Sequence, residues 1–314
     1  MVDTPNSPIQ PAAPAKPRRR WFRFSLRTML VFVTLAGCAL GWLGAKLREA
    51  RRQQVAAAAI RSLGGEVEYD YEFDSLGNYT PNATPPGSAW LHALFGDDFF
   101  RKAQKVSVQV RSGSFATVAE LQQLSGLTTL KWLDLSNSYA TDARLEHIKG
   151  LTQLESLDLH DIYISDAGLK HLKGLVRLRK LRLDRTLVTD AGLAYLAGLA
   201  NLEELSLNHT QTTDAGLEQL AGLSKLRHLE ICRTRVTDAG LVYLARFKEL
   251  ESISVGGSGV TSRGPSLLKQ AIPAGQSIPI VDENVEIGEF MWSPDSTQII
   301  NNQLPPLERT ETKR

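Results

Sequence analysis

Cysteine is scarce: Cys38 and Cys232 are the only two in 314 residues, and they lie in different segments. That excludes a disulfide framework. Metal-ligand spacing is missing as well, because the six histidines are scattered and none pairs with a second cysteine. No Gly-rich phosphate loop occurs. Net charge is small, +2, but it conceals an asymmetry. Residues 1–52 hold ten Lys/Arg against two Asp/Glu, whereas the remainder holds 26 against 32. The basic excess surrounds an apolar run, so it reads as a membrane flank and not as a nucleic-acid patch. Neither a cofactor nor a nucleic-acid partner is expected.

Apolar content of 42 % and charged content of 22 % are ordinary for a chain with a real core. Residues 1–27 form a basic, Pro/Ala-rich tail expected to be disordered. Thr28–Ala45 then runs 18 residues without a charge, just long enough for a transmembrane helix. Trp21, Phe22 and Phe24 before it and Trp42 near its end suit the two interfacial belts. Three readings fit this segment: an uncleaved signal anchor, a cleaved signal peptide, and a lipoprotein signal. In the third, Leu35-Ala36-Gly37-Cys38 resembles a bacterial lipobox with Cys38 as the lipidation site. Ala39–Ala45 stays apolar beyond that cysteine, which speaks against it. Six Lys/Arg precede the run and five follow it closely, a slight bias toward a cytoplasmic N-terminus and an exported C-terminal domain. Gly37, Gly41 and Ala45 form a small-residue stripe suited to pairing two anchors as a weak homodimer.

Residues 46–102 form a connector and N-terminal cap. Lys46–Leu63 is charged, Ala-rich and free of Pro and Gly, and reads as a helix ended by Gly64-Gly65. Glu66–Phe73 alternates Val67, Tyr69, Tyr71 and Phe73 with Glu66, Glu68, Asp70 and Glu72. That is a strand with one apolar face and one acidic, solvated face. After a loop rich in Gly, Asn and Pro, Trp90, Leu91, Leu94, Phe95, Phe99 and Phe100 predict an amphipathic helix. Its aromatic side is expected to cover the open end of the domain that follows.

That domain, 103–270, is repetitive. From residue 127 the chain stacks every 24 residues without gaps, giving five full units over 127–246. A sixth unit has lost Asp-Ala-Gly-Leu and carries Pro265, and residues 103–126 form a degenerate first one, with strand residues Val106, Val108 and Val110. In Leu178-x-x-Leu181-x-Leu183 the last two leucines point inward from a short strand. Thr189 or Asp190 then caps a short helix, Leu193 and Leu196 face the strand, and Gly198 permits the exit. No unit buries its leucines alone, so neighbours must stack. The pattern Leu-x-x-Leu-x-Leu-x-x-Thr-x-Val-Thr-Asp-Ala-Gly-Leu resembles the leucine-rich-repeat superfamily, in the subtype of F-box-associated solenoids and bacterial envelope proteins. Anchor, connector and repeats together resemble bacterial membrane-anchored leucine-rich-repeat proteins. The resemblance implies an α/β solenoid, with parallel strands on the concave face and short helices on the convex face, that binds protein on the concave side.

Residues that alternate with the buried leucines line that face. The columns are Trp132, Ser156, Lys180, Glu204, His228, Ser252; then Asp134, Asp158, Arg182, Ser206, Glu230, Ser254; then Ser136, His160, Asp184, Asn208, Cys232, Gly256. Trp132, as an exposed aromatic, together with Asp134, Asp158, His160, Lys180, Arg182, Asp184 and Glu204 forms the expected partner patch. A neighbouring column, Lys131, Glu155, Arg179, Glu203, Arg227, Glu251, alternates in sign and reads as support for the register. The aspartates Asp142, Asp166, Asp190, Asp214 and Asp238 read as helix-start residues of their own repeats, not as an ion site. Cys232 lies roughly 13–14 Å from His160 and His228, too far for a nucleophile–base pair. Residues 271–314 break the period as a Pro-rich, partly disordered tail, with Ser277–Val281 and Glu289–Trp292 as candidates to pack on the last repeat. The expected function is a non-catalytic, single-pass membrane scaffold for a protein partner. The alternative is a regulator or substrate-selecting subunit of an associated enzyme.

Overall fold

The structure is a computed structural model and describes residues 26–62, 64–73, 79–80, 83–108, 122–138, 140–271, 278 and 280–281. The expected belt residues Trp21, Phe22 and Phe24, the expected strand residue Val110, and Glu289–Trp292 lie outside them. The chain divides into two units, Met1–Lys46 and Leu47–Arg314.

In the first unit, helix α1 begins; its full extent is Leu26–Ser62. The stretch from Met29 is long and apolar enough to cross a membrane, with a mean hydropathy of 1.7 and none of its apolar window buried. A signal sequence near the N-terminus has the same properties. Gly37 and Gly41 have open space around them, and Cys38 is exposed.

The second unit is a nine-stranded sheet in strict chain order. Strand β1 (Glu66–Tyr69) is antiparallel to β2 (Ala103–Ser107). From β2 on, every pairing is parallel: β3 (Trp132–Asp134), β4 (Ser156–Asp158), β5 (Lys180–Arg182), β6 (Glu204–Ser206), β7 (His228–Glu230), β8 (Ser252–Ser254) and β9 (Ile280–Val281). From β3 to β8 the register advances by one 24-residue unit per strand, aligning Leu133, Leu157, Leu181, Leu205 and Leu229 in turn. Those leucines, with Leu193, Leu196 and their repeats, fill one continuous core. Each fully buried leucine stabilises by roughly 1.5–3 kcal/mol over an exposed one.

Two polar devices let the chain turn without stranding backbone groups. Thr186, Thr210 and Thr234 are buried, and each hydroxyl donates to the carbonyl three residues earlier at 2.6–2.7 Å. The residue before each of these, and its equivalent in the two preceding repeats, is left-handed: Asn137, Asp161, Arg185, His209 and Arg233 have φ of 53–56°. That conformation costs about 1 kcal/mol for a side-chain-bearing residue. It aims the N–H at the next repeat, as in Arg185 N to the Asn208 carbonyl at 2.9 Å. Gly198, expected to be the residue with special freedom at the helix exit, has no left-handed φ; the repeat's left-handed turn lies at Arg185 instead.

The N-terminal cap departs from expectation. Helix α2 (Ala89–Phe95) buries no residue, and Trp90 and Leu94 are each 66 % exposed. The sheet edge is instead covered by β1 and by the C-terminal half of α1, where Gln53, Ala56, Ala57 and Ile60 are buried. Gln53 carries the polar part of that contact: its amide donates to Thr129 and its carbonyl accepts from Ala103 N–H at 3.4 Å. Small alanine side chains let that helix approach closely, Ala56 Cβ lying 3.7 Å from where a Cβ on Gly126 would stand. The expected strand over 66–73 is also shorter, turning into a 3-10 segment at Asp70–Glu72, where Glu72 accepts from Tyr69 N–H at 2.7 Å.

Candidate partner-binding surface

Strand register places two of the three expected columns on the sheet, Trp132, Ser156, Lys180 and Glu204 in turn, and Asp134, Asp158, Arg182 and Ser206 in turn. Their side chains form a connected ladder. Asn137 meets His160 Nε2 at 3.1 Å, and His160 Nδ1 meets Asp158 at 2.8 Å. Arg182 donates to Asp158 at 3.2 Å and to Asp184 at 3.1 Å. Asp184 continues to Ser206 and to Asn208 N–H. Asn208 donates to Glu230 at 2.7 Å and accepts from Cys232 N–H at 2.8 Å. Beside this ladder, Lys180 and Glu204 pair at 3.0 Å, and Asp134 accepts from Ser107 at 3.1 Å.

Electrostatics follow from the geometry. The hydrogen bond to Asp158 holds the His160 pKa above the ordinary imidazole value, against the opposing effect of burial. Burial disfavours the Arg182 charge, but Asp158 and Asp184 outweigh it and raise its pKa. Each carboxylate here thus has a designated cation or donor.

Comparison with known proteins gives one family match. Residues 128–188 match the family described as leucine rich repeat. The solenoid is a leucine-rich-repeat domain. Two solved structures from Listeria monocytogenes are similar to the chain. One is an internalin C2, 25 % identical, covering 59 % of this chain and 82 % of that one with a TM-score of 0.44. The other is an internalin (inlF), 20 % identical, covering 57 % and 62 % with a TM-score of 0.36. No curated protein matches the sequence.

Within the leucine-rich-repeat domain the expected patch divides by burial. Asp158 and Asp184 are buried, 7 % exposed each, with their carboxylates on Arg182 and Ser206. His160, Lys180, Arg182 and Glu204 keep between 15 and 24 % of their side chains accessible. Trp132 is half-buried, where the sequence led us to expect an exposed ring. Its ring centroid lies 5.9 Å from that of Phe73, and the Lys131 ammonium sits 5.8 Å from it. Phe73 is 59 residues away in sequence, beyond the reach of any repeat pattern.

The alternating column forms the pairs its signs imply. Lys131 meets Glu155 at 3.5 Å, Arg179 grips Glu203 at 2.9 and 2.7 Å, and Arg227 grips Glu251. The aspartate ladder does more than start helices. The N-cap of α3 (Asp166–Leu169) is Ser165, that of α4 (Asp190–Leu193) is Thr189, and that of α5 (Asp214–Gln219) is Thr213. The aspartate carboxylate reaches into the next repeat instead. Asp166 accepts from Thr189 N–H at 2.8 Å and from its hydroxyl at 2.6 Å. The same pair of bonds recurs at Asp142, Asp190, Asp214 and Asp238. Among the described residues no three His, Cys, Asp or Glu side chains gather as a metal site.

Proposed function

We propose that the chain is a membrane-tethered, non-catalytic recognition module that holds a protein partner on the strand face of its solenoid. The observation that carries this reading is the division within the polar ladder. Buried Asp158 and Asp184 orient His160 and Arg182, whose outer atoms stay accessible. Groups fixed in this way lose little side-chain entropy on binding, which favours affinity and specificity. Lys180, Glu204 and Asp134 extend the presented surface, and the Trp132–Phe73 pair gives it an apolar rim. The apolar stretch of α1 supplies the tether, whether as an uncleaved anchor or through a lipid on Cys38.

A photo-cross-linking residue placed at Lys180 of the full-length chain in its membrane should capture one discrete protein. The same residue at Ala194, on the opposite face, should not. Trp132→Ala combined with Lys180→Ala and Glu204→Ala should abolish capture, with both halves of the ion pair removed together. Capture that survives this variant moves the site off the strand face.

A further inference from the structure

The edge of the solenoid beside the strand face has a different character. Each repeat contributes two residues to it, the left-handed one and the one two positions later. In four successive repeats these are Asp161 and Tyr163, Arg185 and Leu187, His209 and Gln211, Arg233 and Arg235, and all are exposed. Asp161 and Arg185 pair at 3.4 Å and cancel. Arg233 and Arg235 have no hydrogen-bond or ion-pair partner for their guanidinium groups among the described residues. At the other end of the row, Tyr163 is 74 % and Leu187 52 % exposed. Burial together with the flanking Arg185 and Arg233 lowers the His209 pKa, consistent with a positive potential over this edge.

We propose that this turn edge is a second docking surface, and that its occupant is an extended acidic protein segment with an apolar group at one end. Charge complementarity selects the occupant. The unpaired groups are cationic, and the edge's single carboxylate is already used by Arg185. Spacing sets its form. Strands in a sheet are about 4.8 Å apart, so Leu187 and Arg235 are separated by about 10 Å. An extended chain covers that in about three residues. A segment with leucine or phenylalanine followed three or four residues later by carboxylates therefore places both groups at once. This goes beyond the strand-face reading, since it uses none of the same side chains.

The test uses full-length protein in a non-ionic detergent micelle. The probe is a fluorescein-labelled peptide of two leucines, a Ser-Gly spacer and three glutamates; the control replaces the glutamates by lysines. Fluorescence anisotropy should show saturable binding of the glutamate peptide that weakens with salt, and none of the lysine peptide. Arg233→Glu with Arg235→Glu should weaken binding at least tenfold, and Tyr163→Ala with Leu187→Ser severalfold. Trp132→Ala with Lys180→Ala and Glu204→Ala should leave it within twofold, which separates this edge from the strand face. Circular dichroism checks that each variant stays folded. Absence of binding, equal binding of the lysine peptide, or equal loss in the strand-face variant overturns the proposal.

Discussion

Two polar ladders run across the repeats of this solenoid, one on the helix side and one on the strand face. On the helix side each interface repeats the same bonds: an aspartate accepts from the next repeat's Ser or Thr N–H and hydroxyl, five times over. On the strand face the contacts vary from interface to interface. Asn137–His160, Asp158–Arg182, Asp184–Ser206 and Asn208–Glu230 each use different chemistry. Sameness along a stack is what a structural joint needs, because each repeat must accept the same neighbour. Variation along a stack serves a surface that must distinguish one partner from another. The first ladder is thus architectural, and the second is the one on which the proposed recognition function rests.

The first way to break that assignment is at Gly192. A Cβ there would run into the Asp166 carboxylate, with its Cγ only 2.9 Å away. Asp166 has nowhere to go, since both oxygens already hold Thr189. Gly192→Ala should therefore cost about 3 kcal/mol, the upper range for overpacking, made worse by a displaced buried hydrogen-bonding group. Gly198→Ala should be near neutral, because nothing stands within 4 Å of its Cβ position. Thermal melts monitored by circular dichroism separate the two. If both are neutral, the helix-side ladder is not a joint.

The same contact shows how the ends of the solenoid are written in the sequence. The glycine serves the repeat behind it and the aspartate serves the repeat ahead. The first full unit has Asp142 but Arg144 in place of the glycine, and one period before Asp142 stands Val118. The sixth unit keeps Gly264, which faces Asp238, but has Ser262 where an aspartate would reach onward. The 24-residue period, the inward leucines and the columns of the strand face were all readable, because each follows from local alternation and a fixed spacing. The cross-repeat role of Asp166 was not, because a residue at a helix start already has a sufficient local explanation. Phe73 over Trp132 and Ala56 on the sheet edge were hidden for another reason. Both contacts join the non-repeating connector to the stack, and no period predicts them. Asp158 and Asp184 belonged to the expected patch, but whether a strand-face carboxylate is buried depends on how a neighbour such as Arg182 folds over it.

Arg182 gives the next test. Its guanidinium bridges two buried carboxylates. Arg182→Met should cost about 2–3 kcal/mol, somewhat less than for a fully buried pair because part of the guanidinium is accessible. Adding Asp158→Asn and Asp184→Asn should recover most of the loss. Recovery would show that the strand-face ladder is dispensable for folding and retained for what it presents. Failure to recover would make it a second joint.

His160 offers a pH-dependent version of the same question. Its hydrogen bond with Asp158 raises its folded pKa above the unfolded value. The stabilisation it contributes is therefore fully present below about pH 6, under the unfolded pKa, and is lost as pH rises through the folded one. His160→Gln should lower the melting point at about pH 5.5 by the equivalent of about 1 kcal/mol and have little effect at about pH 8.5. A difference that instead grows with pH would mean that His160 acts as a neutral acceptor for Asn137, with Asp158 serving another group.

The alternating column supplies the smallest expected effect and the sharpest boundary between the two ladders. It repeats like the helix-side joint, yet its members are solvent-facing; the Arg179 side chain is 54 % exposed. Geometry alone suggests a strong contact, since Arg179 holds Glu203 through two bonds of 2.9 and 2.7 Å. Exposure argues the opposite, because water and salt screen such pairs and ordering two long side chains costs entropy. Arg179→Ala should therefore change stability by less than about 0.5 kcal/mol, and the difference should vanish in about 0.5 M salt. A loss above about 1.5 kcal/mol that survives salt would show that repetition along the stack marks a joint even on the surface. Burial would then no longer be needed to tell architecture from recognition in this solenoid.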